Sequence, residues 1–298
     1  MILAKNIMNN TNIKILTLGA VIALALIGIL AFVLTIVEPP KEAALCNAHK
    51  YSIDNNINEF THTISLEQND SIYTLIFNKI AIFKSEQFLV DSEIDQQKDV
   101  LIKRFVPIFT KLCYDKFNAP VWESSELKMI SDRIAHLRSL KNHNGAKMIG
   151  RYEGSLQQVD QIIRNYRTAM NIATSSTFRS SSDAKSKIQM ADKYRKMYPL
   201  SNCTELVRRL SGVRTNMANA HYKYITSCVE SMAAYKSMSE ESFRGLIAKA
   251  NNAIQEYNNT RSMYGNAAKN TDKLNQRASA LYREAYNYYN SMNYYYYY

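Results

Sequence analysis

The residues of this chain that could do chemistry are five histidines, four cysteines, one group of acids, one run of cations and a row of terminal tyrosines. The histidines are His49, His62, His136, His143 and His221. His136 and His143 share a helix face at seven-residue spacing, which puts them roughly 10 Å apart, too far to hold one metal ion. All five are expected at the surface. Glu93, Asp95 and Asp99 could attract a cation, but Lys98 lies among them and helical spacing makes them a solvated face. No phosphate-binding loop, dinucleotide loop, G-x-S-x-G elbow or H-E-x-x-H pair occurs. The expectation is a protein that is not an enzyme, with no catalytic residue, metal or cofactor.

Cys46, Cys113, Cys203 and Cys228 are even in number and contain no CxxC pair, so zinc and thioredoxin-like chemistry have nothing to rest on. They are candidate disulfide cysteines, with separate buried thiols as the alternative. If Thr204 to about Tyr235 is one helix, Cys203 and Cys228 lie ~37 Å apart along its axis, well beyond the ~7 Å a disulfide allows. A bridge would then link Cys46 or Cys113 to the C-terminal half, or Cys46 to Cys113. Gly212 is the one point at which that helix could break. Asn69-Asp70-Ser71, Asn202-Cys203-Thr204 and Asn258-Asn259-Thr260 match glycosylation sequons, informative only in a eukaryotic secretory route.

The net charge of +11 is uneven. Residues 43–120 carry eight Lys/Arg against ten Asp/Glu, and residues 121–298 carry 26 against 14. The densest stretch holds Lys185, Lys187, Lys193, Arg195, Lys196, Arg208, Arg209 and Arg214, opposed by Asp192 and Glu205. Such a field favours anionic partners: cell-wall polymers, lipopolysaccharide or phospholipid headgroups. A solvated face is the plainer alternative, and no zinc-finger or RRM pattern points to nucleic acid.

Tyr286, Tyr288, Tyr289, Tyr294, Tyr295, Tyr296, Tyr297 and Tyr298 place eight phenols in the last 13 residues. Exposed rings are unfavourable unless covered, so this is a candidate partner-binding tail. It could stack on sugars, settle at a membrane interface, be captured as an extended strand, or self-associate. Codon-repeat slippage is the alternative.

The elements that must carry these residues begin with Ile15–Val37, 23 positions without a charge. As a helix the run reaches roughly 34 Å, enough to span a hydrocarbon core of ~30 Å. It is longer than a signal-peptide core and ends at Glu38-Pro39-Pro40 without a small-x-small cleavage site, so an uncleaved anchor is expected. Flanking Lys residues nearly balance; the short 14-residue leader favours a cytoplasmic N-terminus and an extracytoplasmic body.

Downstream, prolines are confined to positions 39, 40, 107, 120 and 199, and apolar residues recur at steps of three and four. One ladder reads Leu206, Leu210, Val213, Met217, Ala220, Tyr224, Cys228; a second, Phe243, Leu246, Ala250, Ile254, Tyr257, Tyr264; a third, Leu274, Ala278, Leu281, Ala285, Tyr288. Upstream, Leu127, Ile130, Ile134 and Leu137 continue, after polar rungs, through Met148, Tyr152, Leu156, Val159, Ile163, Tyr166 and Met170. The expected fold is all-α: a transmembrane helix, then a helical bundle with coiled-coil-like hairpins. Expected divisions are a tail (1–14), the anchor (15–37), a linker (38–50), a membrane-proximal bundle of three helices (51–120), long hairpins (121–285) and the tyrosine-rich end (286–298). Trp122 is expected as a hydrophobic staple, Ser124 or Ser125 as an N-cap, residues 174–182 as a turn with Ser182 capping the next helix, and Pro199 with Ser201 and Asn202 as another turn.

The functional expectation is a single-pass, non-enzymatic membrane protein acting as an envelope tether or assembly scaffold. Its partners would be other envelope proteins, further copies of itself, or anionic polymers. A ligand-binding or sensory bundle signalling through a partner is the alternative.

Overall fold

The computed structural model describes residues 50–85, 91–140 and 149–295. The apolar run at 15–37, its linker to residue 49, Cys46, His49, His143 and Tyr296–Tyr298 lie outside the described residues. Among the described residues no helix is long and apolar enough to cross a membrane. There is no strand among them either, so the all-α expectation is met.

Residues 50–58 are helical and are called α1. Then come α2 (Leu66–Ser85), α3 (Asp91–Asn118), α4 (Leu127–Ser139), α5 (Ile149–Ala173), α6 (Ser181–Lys196), α7 (Thr204–Ser211), α8 (Val213–Met232), α9 (Glu240–Tyr264) and α10 (Lys269–Tyr295). The chain divides into two compact units, one reaching Phe109 and including Arg138–Tyr152, the other Thr110–Leu137 and Glu153 onward.

In the first unit α2 starts on a reciprocal capping box. The Ser65 hydroxyl accepts from the Gln68 N–H at 3.1 Å, and the Gln68 side chain accepts from the Ser65 N–H at 2.9 Å. Buried Asn69 closes the preceding loop, its amide donating to the carbonyls of Thr61, Ile64 and Ser65. A sequon asparagine held this way offers no accessible nitrogen to a glycan. The core is bulky: Ile53, Ile57, Ile76, Ile80, Leu101 and Ile102 surround Phe60, Tyr73, Phe105 and Phe109. Phe105 is the hub, its ring centroid 4.3 Å from Tyr73, 5.2 Å from Phe109 and 5.3 Å from Phe60. α3 runs through Pro107 without ending.

In the second unit, Trp122 is buried against Phe117 and Tyr166, and its indole N–H donates to the Pro199 carbonyl at 2.9 Å. Its role is thus to tie the 118–124 turn to the 198–205 turn, which Tyr198–Asn118, Asn202–Ala119 and Ser124–Glu205 hydrogen bonds reinforce. Residues 174–180 connect α5 to α6, and Ser180, not Ser182, caps α6 through the Asp183 N–H.

The expected single helix from Thr204 to Tyr235 is two helices. At Gly212 the amide bonds back to Arg209, three residues away instead of four, and the regular α pattern resumes at Val213. The first ladder is nevertheless buried on both sides of that step, from Leu206 and Leu210 to Val213, Met217 and Ala220. α8, α9 and α10 pack on one another, and α6 packs against α7, α8 and α9. Between α9 and α10, Gly265 takes φ 57°, a left-handed conformation that costs glycine little and a side-chain-bearing residue more.

Candidate functional site

The cation-rich stretch folds onto α6, α7 and the first turn of α8, and packing neutralises much of it. Asp183 pairs with Lys187 at 2.7 Å, Glu205 with Arg209 at 2.9 Å, and Asp192 with both Arg195 and Arg214. Arg214 also donates to the Met263 carbonyl at 2.7 Å, so it joins α8 to α9. Serine and arginine partners hold the Glu205 carboxyl below its ordinary range. Lys193, Lys196 and Arg208 remain exposed, Lys185 is half-buried, and none of the four has an ion pair among the described residues. What the sequence offers as one block of eight charges is a smaller exposed set.

The tyrosine-rich end is helical through Tyr295, a continuation of α10. Tyr288 packs edge-on to Tyr235 at 5.3 Å, and Tyr289 stacks on Phe243 at 5.0 Å. The Tyr289 hydroxyl donates to Glu240 and accepts from Arg244. Tyr235 reaches Glu284 at 2.9 Å. These rings, with Ala285, close the end of the α8–α10 assembly. Tyr286 instead stays outside, stacked on Tyr282 one turn before it. The tail is therefore split: Tyr288 and Tyr289 serve the fold, and Tyr286 is available.

His221 is the residue that sequence reasoning misplaced. It is fully buried on α8, whereas His62 is exposed and His136 half-buried. Its ring stacks on Phe178 at 3.8 Å and meets Tyr257 and Tyr264 edge-on. Nδ1 lies 3.1 Å from the Tyr264 hydroxyl, while Nε2 has no hydrogen-bond partner among the described residues. Burial pushes its pKa down to about 4, despite the Ala253 carbonyl and Glu256 nearby. Beside it, burial and then the Asp272 carboxylate push the Tyr257 phenol up. Burial opposes ionisation of Asp272 as well, yet Tyr257 and Arg261 together hold its carboxyl below the usual range. Tyr257 donates to Asp272 at 2.6 Å, and Arg261 makes two bonds to it at 3.0 Å. These groups join α9 to α10. A histidine within the Ala220-to-Tyr224 stretch of the apolar ladder was the available signal for its burial.

Cys113, Cys203 and Cys228 are buried, and no disulfide joins any two of them. Burial is the first cause that raises the pKa of both Cys203 and Cys228, so these thiols are poor nucleophiles. Glu93, in the acidic group, pairs with Lys50 at 3.1 Å, and no metal-binding cluster occurs among the described residues.

One groove combines charge, amides and an aromatic ring. It has a volume of about 540 Å³ and is lined by Asn219 and Tyr222 of α8 and by Asn270, Lys273, Leu274 and Arg277 of α10. The third sequence ladder placed Leu274 and Leu281 in the core. The buried line of α10 instead runs Thr271, Asn275, Ala278 and Ala285, which leaves Leu274 half-exposed in the groove wall. Thr271 donates to the Ala218 carbonyl of α8, and Asn275 donates to Asn258 of α9. The chain matches no family model, no curated protein and no solved structure.

Proposed function

We propose that the protein is a non-enzymatic scaffold, anchored in a membrane through the uncharged run at 15–37, with a helical extracytoplasmic body that makes contacts with other envelope components. The observation that carries this reading is where its polar chemistry goes. His221–Tyr264, Tyr257–Asp272–Arg261 and Arg214–Met263 each join one helix to another, and Tyr235, between α8 and α9, reaches Glu284 of α10. Groups tied up in this way define a shape and leave exposed Tyr286, stacked on half-buried Tyr282, and the exposed cations Lys193, Lys196 and Arg208 as contact points. A second reading, a ligand-binding bundle that signals through a partner, draws on the α8–α10 groove.

Topology and contact can be tested together in intact cells. The native cysteines are poor reporters because three are buried, so the label belongs at an exposed position such as Asn266→Cys. A membrane-impermeant maleimide should modify it without lysis; labelling only after lysis would overturn the extracytoplasmic placement. A photocrosslinking residue at Tyr286 should give one discrete adduct with another membrane or envelope protein or a second copy. The absence of any adduct from Tyr286 and Arg208 alike would overturn the scaffold.

A further inference from the structure

We propose that the groove between α8 and α10 binds a phosphorylated carbohydrate, with Lys273 and Arg277 on the phosphate and Tyr222, Asn219 and Asn270 on the sugar. Lys273 and Arg277 are one helical turn apart on α10 and both exposed, so their heads can converge on one anion. Among the described residues no carboxylate lines the groove. The neighbouring acid, Asp272, points to α9 and is held there by Tyr257 and Arg261. Lys269, one turn earlier on the same stripe, is exposed as well and extends the field.

Size and lining choose among anions. The volume of about 540 Å³ falls within the ~300–1,000 Å³ typical of small-molecule sites, and a bare phosphate would leave most of it unfilled. Asn219 and Asn270 each present a donor and an acceptor, the pairing a hydroxyl needs. Tyr222 is 39% exposed and Leu274 lies beside it, giving an apolar wall for the C–H face of a ring. Single-stranded nucleic-acid channels use successive aromatic platforms. This groove has one ring, which favours a sugar over a base. Leu274 lies in the wall because Thr271 and Asn275 occupy the helix contacts in its place.

The test is calorimetric titration of the full chain in detergent micelles. Probes are glucose 6-phosphate, glucose, inorganic phosphate, oligo(dT), and phosphorylated against neutral dextran. Glucose 6-phosphate should bind at least tenfold tighter than glucose or phosphate alone. The Lys273→Glu/Arg277→Glu variant should lose at least tenfold, and Tyr222→Ala several-fold, with unchanged circular dichroism; Lys193→Glu/Lys196→Glu, on α6, should leave binding intact. Phosphorylated dextran binding tighter per phosphate than glucose 6-phosphate identifies a surface polymer as the source, and equal binding a soluble sugar phosphate. Tighter binding of oligo(dT), indifference to the sugar, or full binding by the α10 variant would overturn the proposal. Because the micellar chain is titrated without partners, failure here is separable from failure of the scaffold.

Discussion

The core around Phe105 and the seam of α8, α9 and α10 are held together differently. The first is a cluster of Ile, Leu and Phe in which large apolar side chains touch and few polar groups take part. The second buries Ala218, Ala250, Ala253, Ala278 and Ala285 together with tyrosines, one histidine, Thr271 and Asn275. Burial of large side chains is strong and non-directional, so the first region gains stability without needing one exact arrangement. Small residues bury little area, so the seam draws on directional hydrogen bonds between helices to define its register. The seam is therefore where pH and single hydroxyl groups should matter.

Phe105→Ala attacks the bulky core at its hub and should show the largest effect, a loss of about 3–5 kcal/mol in urea unfolding. A loss below about 1 kcal/mol would mean that the cluster repacks and the contrast is weaker than drawn.

Acid should single out the seam. His221 titrates at about 4 in the folded protein against an ordinary value near 6.5. Above about pH 6.5 it is neutral whether folded or not, so it imposes no penalty. Between 6.5 and 4 the unfolded chain binds a proton that the folded chain refuses, and stability falls as pH falls, by about 3 kcal/mol across the window. His221→Leu should remove that slope between pH 7 and 4.5. Equal slopes in both proteins would place the acid sensitivity elsewhere.

Tyr257→Phe deletes only the hydroxyl that donates to Asp272, and should cost about 1–2 kcal/mol. The Asp272 carboxyl should then titrate at higher pH, which carbon-detected NMR would read. At the small end, Ser65→Ala removes half of the α2 capping box and should cost about 1 kcal/mol by the same unfolding measurement, with no change in pH slope.

Much of this was readable from spacing. Ladders at steps of three and four anticipated the helices and named many of the buried residues of α4, α7, α8 and α9, because a helix turns one constant face to its neighbours. α3 ends at Asn118, two positions before Pro120 and close to the expected division at residue 120. Periodicity failed on α10. There Leu274 and Thr271 lie on adjoining stripes, and the apolar one looked like the seam. The Ala218 carbonyl of α8 and Asn258 of α9 turned the helix by offering hydrogen bonds to Thr271 and Asn275. His221 escaped notice for a related reason: its ring is polar by type but flat and aromatic in shape, and Phe178 covers it from a loop that carries no periodic signal.

Helix content, the places where helices stop and the sign of the charge are local properties, set by neighbours a few positions away, and the order of residues was enough to establish them. Which cations stay exposed, which tyrosines are covered, whether Gly212 interrupts a helix, and that α8 and α10 leave a basic groove between them depend on partners distant in sequence, 53 positions apart in the case of Thr271 and Ala218. Side-chain type does not encode such meetings, because the same residue is stable in water or in a packed seam according to what approaches it.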